Sequence, residues 1–253
     1  MIRRPPRSTQ SRSSAASDVY KRQSTGNGIS GHPNFCLDIS GNGRYVAYPS
    51  AATNLVTGDT NGYYDVFVTD LVTGTTKLAS MSTAGDLGNG HSYFPSLSYD
   101  GRYVAFGSAA TNLVPGDTNG QYDVFVRDLQ ENTTTRVSVA SDGTQANNRS
   151  GSGFDTAPHI SADGRYVLFG SLASNLIPDD TNGQWDVYLH DMKTGKTMRV
   201  SYNSDGSQVT GTWCGYACIS GDGRYFGFVS SASTILPGDT NSRADDFVKR
   251  IKW

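Results

Sequence analysis

The string PGDTNGQYDVFVRD at 115–128 recurs as TGDTNGYYDVFVTD at 57–70, as PDDTNGQWDVYLHD at 178–191, and in looser form as PGDTNSRADDFVKR at 237–250. A second string recurs ahead of each copy: SGNGRYVAYPS (40–50), SYDGRYVAFGS (98–108), SADGRYVLFGS (161–171) and SGDGRYFGFVS (220–230). Its glycines, Gly43, Gly101, Gly164 and Gly223, are spaced 58, 63 and 59 residues apart. No other feature constrains the fold as much. Each copy has to be one supersecondary unit that hides its apolar surface against the next copy.

Every unit parses alike. A short apolar strand (CLDIS, PSLS, PHIS, ACIS) leads into Asp-Gly or Asn-Gly, dipeptides that supply the positive φ of a tight hairpin. The second strand, RYVAF-like, is apolar almost without a break, so both of its faces are expected to be buried. The DTNG loop follows, then a third strand (YDVFVRD-like), a short turn, and a fourth strand such as TTTRVSVA or KTMRVSYN. A Gly/Ser/Asn-rich loop leads to the next unit. Four antiparallel strands per unit, buried on both faces, describe the blades of a β-propeller.

The pattern P-x-(I/L)-S-x-D-G-R-Y-V-A-F, then D-V-F-V-x-D-L, then T-G-T-T, resembles the WD-like repeat of TolB-type β-propellers over residues 36–253. The expectation is an all-β chain of four blades, near 36–94, 95–157, 158–216 and 217–253. The blade-building region is taken as 24–253. The units exceed the roughly 40–50 residues usual for propeller repeats. The fourth copy stops in its third strand, so the ring is expected to be incomplete and the chain a fragment of a larger protein. The resemblance implies a secreted or periplasmic location and a binding or scaffold role.

Residues 1–23 stand apart. They carry six basic residues and one acidic, lack an apolar run, and resemble the translation of a sequencing adapter. They are read as a non-native or disordered head. Without them the chain has 15 basic and 22 acidic residues, which argues against nucleic acid or an anionic membrane as the main partner. No stretch is apolar for long enough to span a bilayer. Of the acids 22 are Asp and only Glu131 is Glu, in keeping with turns over helices. Cys36, Cys214 and Cys218 form no zinc pattern and are read as separate, partly buried thiols, although Cys214 and Cys218 could bridge across a turn.

The DTNG loops hold oxygen side chains at relative positions 1, 3 and 7: Asp59, Asn61 and Asp65; Asp117, Asn119 and Asp123; Asp180, Asn182 and Asp186. Asp239, Asn241 and Asp245 are the fourth set. D-x-N-G-x-x-D is a shortened relative of calcium loops, so Ca²⁺ is one expectation. The competing expectation is turn building, in which Asp and Asn bond backbone amides two residues on. Asp70, Asp128 and Asp191 are expected to accept bonds from turn amides or from a repeat arginine, with Arg44, Arg102, Arg165 and Arg224, one per unit, as the candidates.

No catalytic constellation is legible. His32, His91, His159 and His190 occupy different repeat positions, and no G-x-S-x-G elbow is present. Trp185, Trp213 and Tyr216 would suit either inter-blade packing or a sugar surface. The expected function is therefore a non-enzymatic module binding a protein or glycan by its loop face. The alternatives are the non-catalytic propeller of a larger peptidase or hydrolase, and a calcium-stabilised structural module. A partner is expected at the least repeat-like loops, 82–94, 141–157 and 204–216.

Overall fold

The computed structural model describes residues 27–28, 37–210, 212–241 and 243–251. The expectations placed on the head, His32 and Cys36 fall outside them. Three four-stranded antiparallel sheets and one of three strands follow in chain order. The first holds β1 (Asp38–Ile39), β2 (Tyr45–Ser50), β3 (Asp65–Asp70) and β4 (Thr76–Leu78). The second holds β5 (Ser92–Leu97), β6 (Tyr103–Ser108), β7 (Asp123–Asp128) and β8 (Thr133–Arg136). The third holds β9 (His159–Ile160), β10 (Tyr166–Ser171), β11 (Asp186–Asp191) and β12 (Lys196–Arg199). The fourth holds β13 (Cys214–Ile219), β14 (Tyr225–Ser230) and β15 (Asp245–Arg250). The chain is a β-propeller of up-and-down blades, and among the described residues no strand closes the ring.

The hairpin between first and second strands is built identically in each blade. In the second, Ser98 Oγ donates to Asp100 Oδ1 at 2.8 Å, and the amides of Arg102 and Tyr103 donate to Asp100 Oδ1 and Ser98 Oγ. The Arg then reaches the end of the third strand. Arg102 meets Asp128 at 2.7 Å, as Arg44 meets Asp70 at 2.7 Å and Arg165 meets Asp191 at 2.9 Å. The planar fork matches the carboxylate, and Arg165 holds Asp191 down at about 2.

The turn glycine has a second role that spacing did not disclose. A Cβ on Gly101 would lie 2.2 Å from Tyr45 Cδ2 of the preceding blade, and one on Gly164 would lie 2.2 Å from Tyr103 Cδ2. Gly223 receives Tyr166 in the same way. The Tyr of each copy thus packs flat on the Gly of the next, so the two repeated residues are one inter-blade contact.

Stacking is directional. Ala47, Val66, Val68 and Ala79 of the first blade pack on Val104, Phe106, Leu113 and Phe125 of the second. Ala105, Val124, Val126 and Val137 pack on Val167, Phe169, Leu176 and Tyr188 of the third, and Leu168, Val187, Leu189 and Val200 on Phe226, Phe228, Ile235 and Phe247 of the fourth. An aliphatic face always meets an aromatic one. Each fully buried large side chain contributes roughly 1.5–3 kcal/mol, so these interfaces carry most of the stability.

Candidate functional site

The repeated loop is a hydrogen-bond cage. In the second blade Asn119 Nδ2 donates to Asp123 Oδ2 (2.9 Å) and to the Ala146 carbonyl (2.9 Å), while Asn119 Oδ1 accepts the Gln121 amide. Ser138 Oγ donates to Asp123 Oδ1 at 2.5 Å. Gln145 Nε2 bridges Asp117 Oδ1 (2.8 Å) and Asp123 Oδ2 (3.2 Å), and Arg136 Nη1 stands 3.6 Å from Asp117. The third blade repeats this. Asn182 donates to Asp186, Ser201 Oγ donates to Asp186 Oδ1 at 2.6 Å, and Gln208 Nε2 bridges Asp180 and Asp186. Arg199 Nη1 lies 4.0 Å from Asp186, and the Tyr188 hydroxyl donates to Asp180.

The first blade keeps only half of this. Asn61 Nδ2 and Ser80 Oγ donate to Asp65 at 2.8 and 2.6 Å. Leu87 takes the place of Gln145 and Gln208 in the short bridge after the fourth strand, and Leu78 takes the place of Arg136 and Arg199. Asp59 Oδ1 is buried with no hydrogen-bond partner. Burial pushes the Asp65 carboxyl up to about 6 and raises Asp59 as well. Burial also raises Asp123 and Asp186, against the pull of their amide and hydroxyl donors and, for Asp186, of the Arg199 guanidinium. In the fourth blade Asn241 Nδ2 reaches Asp245 at 3.3 Å on the surface.

In all four copies the Asn turns its nitrogen toward the second Asp, and its oxygen accepts a backbone N–H. A hard cation needs converging oxygens, whereas here donors converge on the carboxylates. Among the described residues no group of three or more His, Cys, Asp or Glu is placed to hold a metal ion. Cys214 and Cys218 are not bridged: Cys214 is buried, its pKa pushed up to about 11 by burial, and Cys218 is exposed.

The copies disagree at the inner strands. These lie against one another around the axis, β1 on β5, β5 on β9 and β9 on β13. The position held by Ser96 in the second blade is Asp38, His159 and Cys218 in the others. Asp38 Oδ2 accepts the Leu97 amide at 2.7 Å, and Ser96 Oγ accepts the Ile160 amide at 3.2 Å, so the first two of these side chains tie one blade to the next. His159 is left facing a cavity, its basicity lowered by burial.

That cavity, about 260 Å³, is lined by Phe94, Pro95, Phe154, His159, Tyr216 and Cys218, among others. Two of its aromatics stand at β-bulges with left-handed backbone: Phe94 at φ 56° and Tyr216 at φ 46°. Such a conformation costs an L-residue on the order of 1–3 kcal/mol, and bulges re-aim side chains. Phe154 and Tyr216 meet edge to face at 6.0 Å, with Trp213 beyond at 5.7 Å, yet both are about half exposed. Phe94, Phe154 and Tyr216 come from the three segments where the copies disagree, 82–94, 141–157 and 204–216, so these segments converge on one mouth. The bulges extend β5 and β13 back to Ser92 and Cys214, further than the strands PSLS and ACIS expected from sequence. The amides of Ser92 and Cys214 donate to the Tyr64 and Trp185 carbonyls of the blade before, as the Ser150 amide donates to the Tyr122 carbonyl in the third blade.

Two larger cavities are made from repeat residues. One of about 470 Å³ is lined by Tyr45, Asp70 and Arg102, and one of about 610 Å³ runs beside the Pro115–Asp117 turn. Their walls already serve the Arg–Asp clamp and the loop cage.

No protein-family model matches the chain, and no curated protein matches it. Solved structures do match in fold. TolB from Acinetobacter baumannii is 21% identical over 87% of this chain and 41% of its own, with a TM-score of 0.48. A putative TolB from Agrobacterium tumefaciens is 16% identical over 79% of this chain and 71% of its own, at 0.46. A prolyl endopeptidase is 14% identical over 92% of this chain and 32% of its own, at 0.51. The chain thus spans about 41% of the length of the first and 32% of the last. At these identities the likeness concerns the propeller fold alone.

Proposed function

We propose that this chain is a non-catalytic binding module that takes a segment of a partner protein at the loop mouth of its axis. The observation that carries the reading is the convergence of the three repeat-breaking loops on a cavity flanked by two strained aromatics. Apolar walls on most sides favour an apolar side chain over a sugar ring, whose hydroxyls would need more polar partners. The cavity's size suits one aromatic or branched aliphatic anchor. A secreted or periplasmic setting is part of this proposal, supported by the resemblance of the repeats to TolB-type blades. The DTNG loops are proposed as devices that hold the third strand, with calcium the rival reading.

The test is selection of displayed random peptides against the protein, alongside an oligosaccharide array. Peptides with a common apolar anchor should be enriched, and Phe154→Ala and Tyr216→Ala should abolish their capture. Enrichment that ignores both substitutions, or binding confined to oligosaccharides, would defeat the proposal. A second reading, the propeller portion of a larger peptidase, has the endopeptidase's similarity of fold behind it. An α/β-hydrolase signature in the same reading frame would decide for that reading.

A further inference from the structure

The axial mouth contains one group that an apolar anchor does not account for. Its walls come from the second, third and fourth blades and are mostly hydrocarbon. Pro95 and Pro158 bring no backbone N–H to them. His159 is the exception. β9 holds it opposite Leu168 of β10, and it lines the cavity. Neither ring nitrogen has a hydrogen-bond partner among the described residues.

Other copies show how this position is ordinarily satisfied. Asp38 and Ser96 accept the amides of Leu97 and Ile160 in the next blade. By the same offset His159 would meet the Ile219 amide, a bond it does not make. Asp38 draws His159 toward its charged form, but its two oxygens are already held by the Ile39 and Leu97 amides at 2.8 and 2.7 Å. Burial outweighs Asp38 and keeps the ring uncharged at neutral pH. Cys218, also in the wall, is a weak donor and a weak acceptor.

Neutral imidazole carries one N–H donor and one acceptor nitrogen. An anchor that fills the cavity shuts solvent away from this ring. A hydrocarbon anchor then leaves a buried nitrogen unpaired, which is costly. A hydroxyl on the anchor removes that cost. A phenol both donates and accepts, so it completes either tautomer, whereas an indole N–H only donates. Phe94, Phe154 and Tyr216 supply the ring faces and edges that an aromatic body prefers. Resting on the proposed role of the mouth, we infer that its anchor is a tyrosine of the partner segment, selected by a hydrogen bond between the phenol hydroxyl and His159. A site that bonds a hydroxyl rejects the analogue lacking it far better than an apolar pocket sorts hydrocarbons.

The probes are N-acetyl-tyrosinamide and N-acetyl-phenylalaninamide, each titrated into the full chain and followed by NMR. The tyrosine probe is expected to bind about tenfold more tightly and to move the imidazole nitrogen resonances of His159. Phe154→Ala should weaken both probes. His159→Leu should erase the preference, and His159→Gln, which keeps a donor and an acceptor, should retain most of it. The comparison on the unaltered chain decides even where a variant fails to fold. Equal affinities for the two probes would overturn the inference and leave the mouth as an apolar anchor site. Tighter binding of 4-methylbenzoate than of the tyrosine probe would overturn it too, by assigning His159 to a carboxylate. Failure of both amides to bind would overturn the inference together with the reading of the mouth on which it rests.

Discussion

The second and third blades hold their paired carboxylates with a glutamine and an arginine; the first holds the same pair among leucines. Residues 59–65 and 117–123 are nearly the same sequence, yet Asp123 has Gln145 and Arg136 beside it, where the first blade carries Leu87 and Leu78 at the equivalent positions. The motif therefore does not carry its own electrostatics. Residues on the fourth strand and in the bridge after it decide how many donors offset the burial that raises each of these carboxyls.

The largest consequence is in stability. Asp123→Ala strands Ser138, Asn119, Gln145 and Arg136 around a buried hole, and should cost about 3–5 kcal/mol. Asp65→Ala strands only Ser80 and Asn61, and should cost about 1–3 kcal/mol. Urea denaturation of the two variants compares them directly, and equal losses would break the distinction.

The pH dependence comes next. The folded pKa of Asp65 is raised to about 6, above the value of about 3.9 in an unfolded chain. Folding then favours the protonated form, so stability from this group is present below about pH 4 and lost as pH rises through about 6. The upper bound is about 3 kcal/mol. Asp191, held at about 2 by Arg165, has the opposite sign: its stability is present above about pH 4 and lost as pH falls through about 2. Urea midpoints between pH 3 and 7 should decline from about pH 4 to about pH 6 and level off above, and Leu87→Gln should flatten the decline.

Smaller still is the exchange of partners at pH 7. Gln145→Leu should cost about 1–2 kcal/mol, whereas Leu87→Gln should gain at most about 1 kcal/mol, read from thermal or urea unfolding. The smallest effect is expected from calcium. If donors fill the cages, millimolar Ca²⁺ and a chelator should give melting temperatures within about 1 °C of each other, since only a ligand that binds the native state shifts them. A rise of several degrees would restore the cation reading.

Much of the fold was legible because the repeat states it four times. Turn glycines, apolar second strands and the Arg44, Arg102 and Arg165 clamps follow from aligned copies. What was not legible depends on pairs of residues from different copies. Tyr45 on Gly101 looks, in one dimension, like two unrelated consensus positions. The axial mouth was legible only as an expectation that function lies in the irregular loops. Nothing in HSYFPSLS or WCGYACIS announces a bulge or the left-handed φ at Phe94 and Tyr216. Leu87 and Leu78 were also silent, since a leucine beside a carboxylate is informative only once Gln145 and Arg136 are seen in its place.

Under the proposed function, the cages build blades and the strained mouth binds. Tyr216→Gly tests this division most directly, because glycine adopts φ 46° without strain while deleting the exposed ring. Its unfolding free energy and its capture of the selected peptides are measured on the same sample. The account predicts stability within about 0.5 kcal/mol of the unaltered chain, relief of strain offsetting the lost contact, together with loss of capture. Capture at the original level, or a destabilisation as large as that of Asp123→Ala, would contradict it.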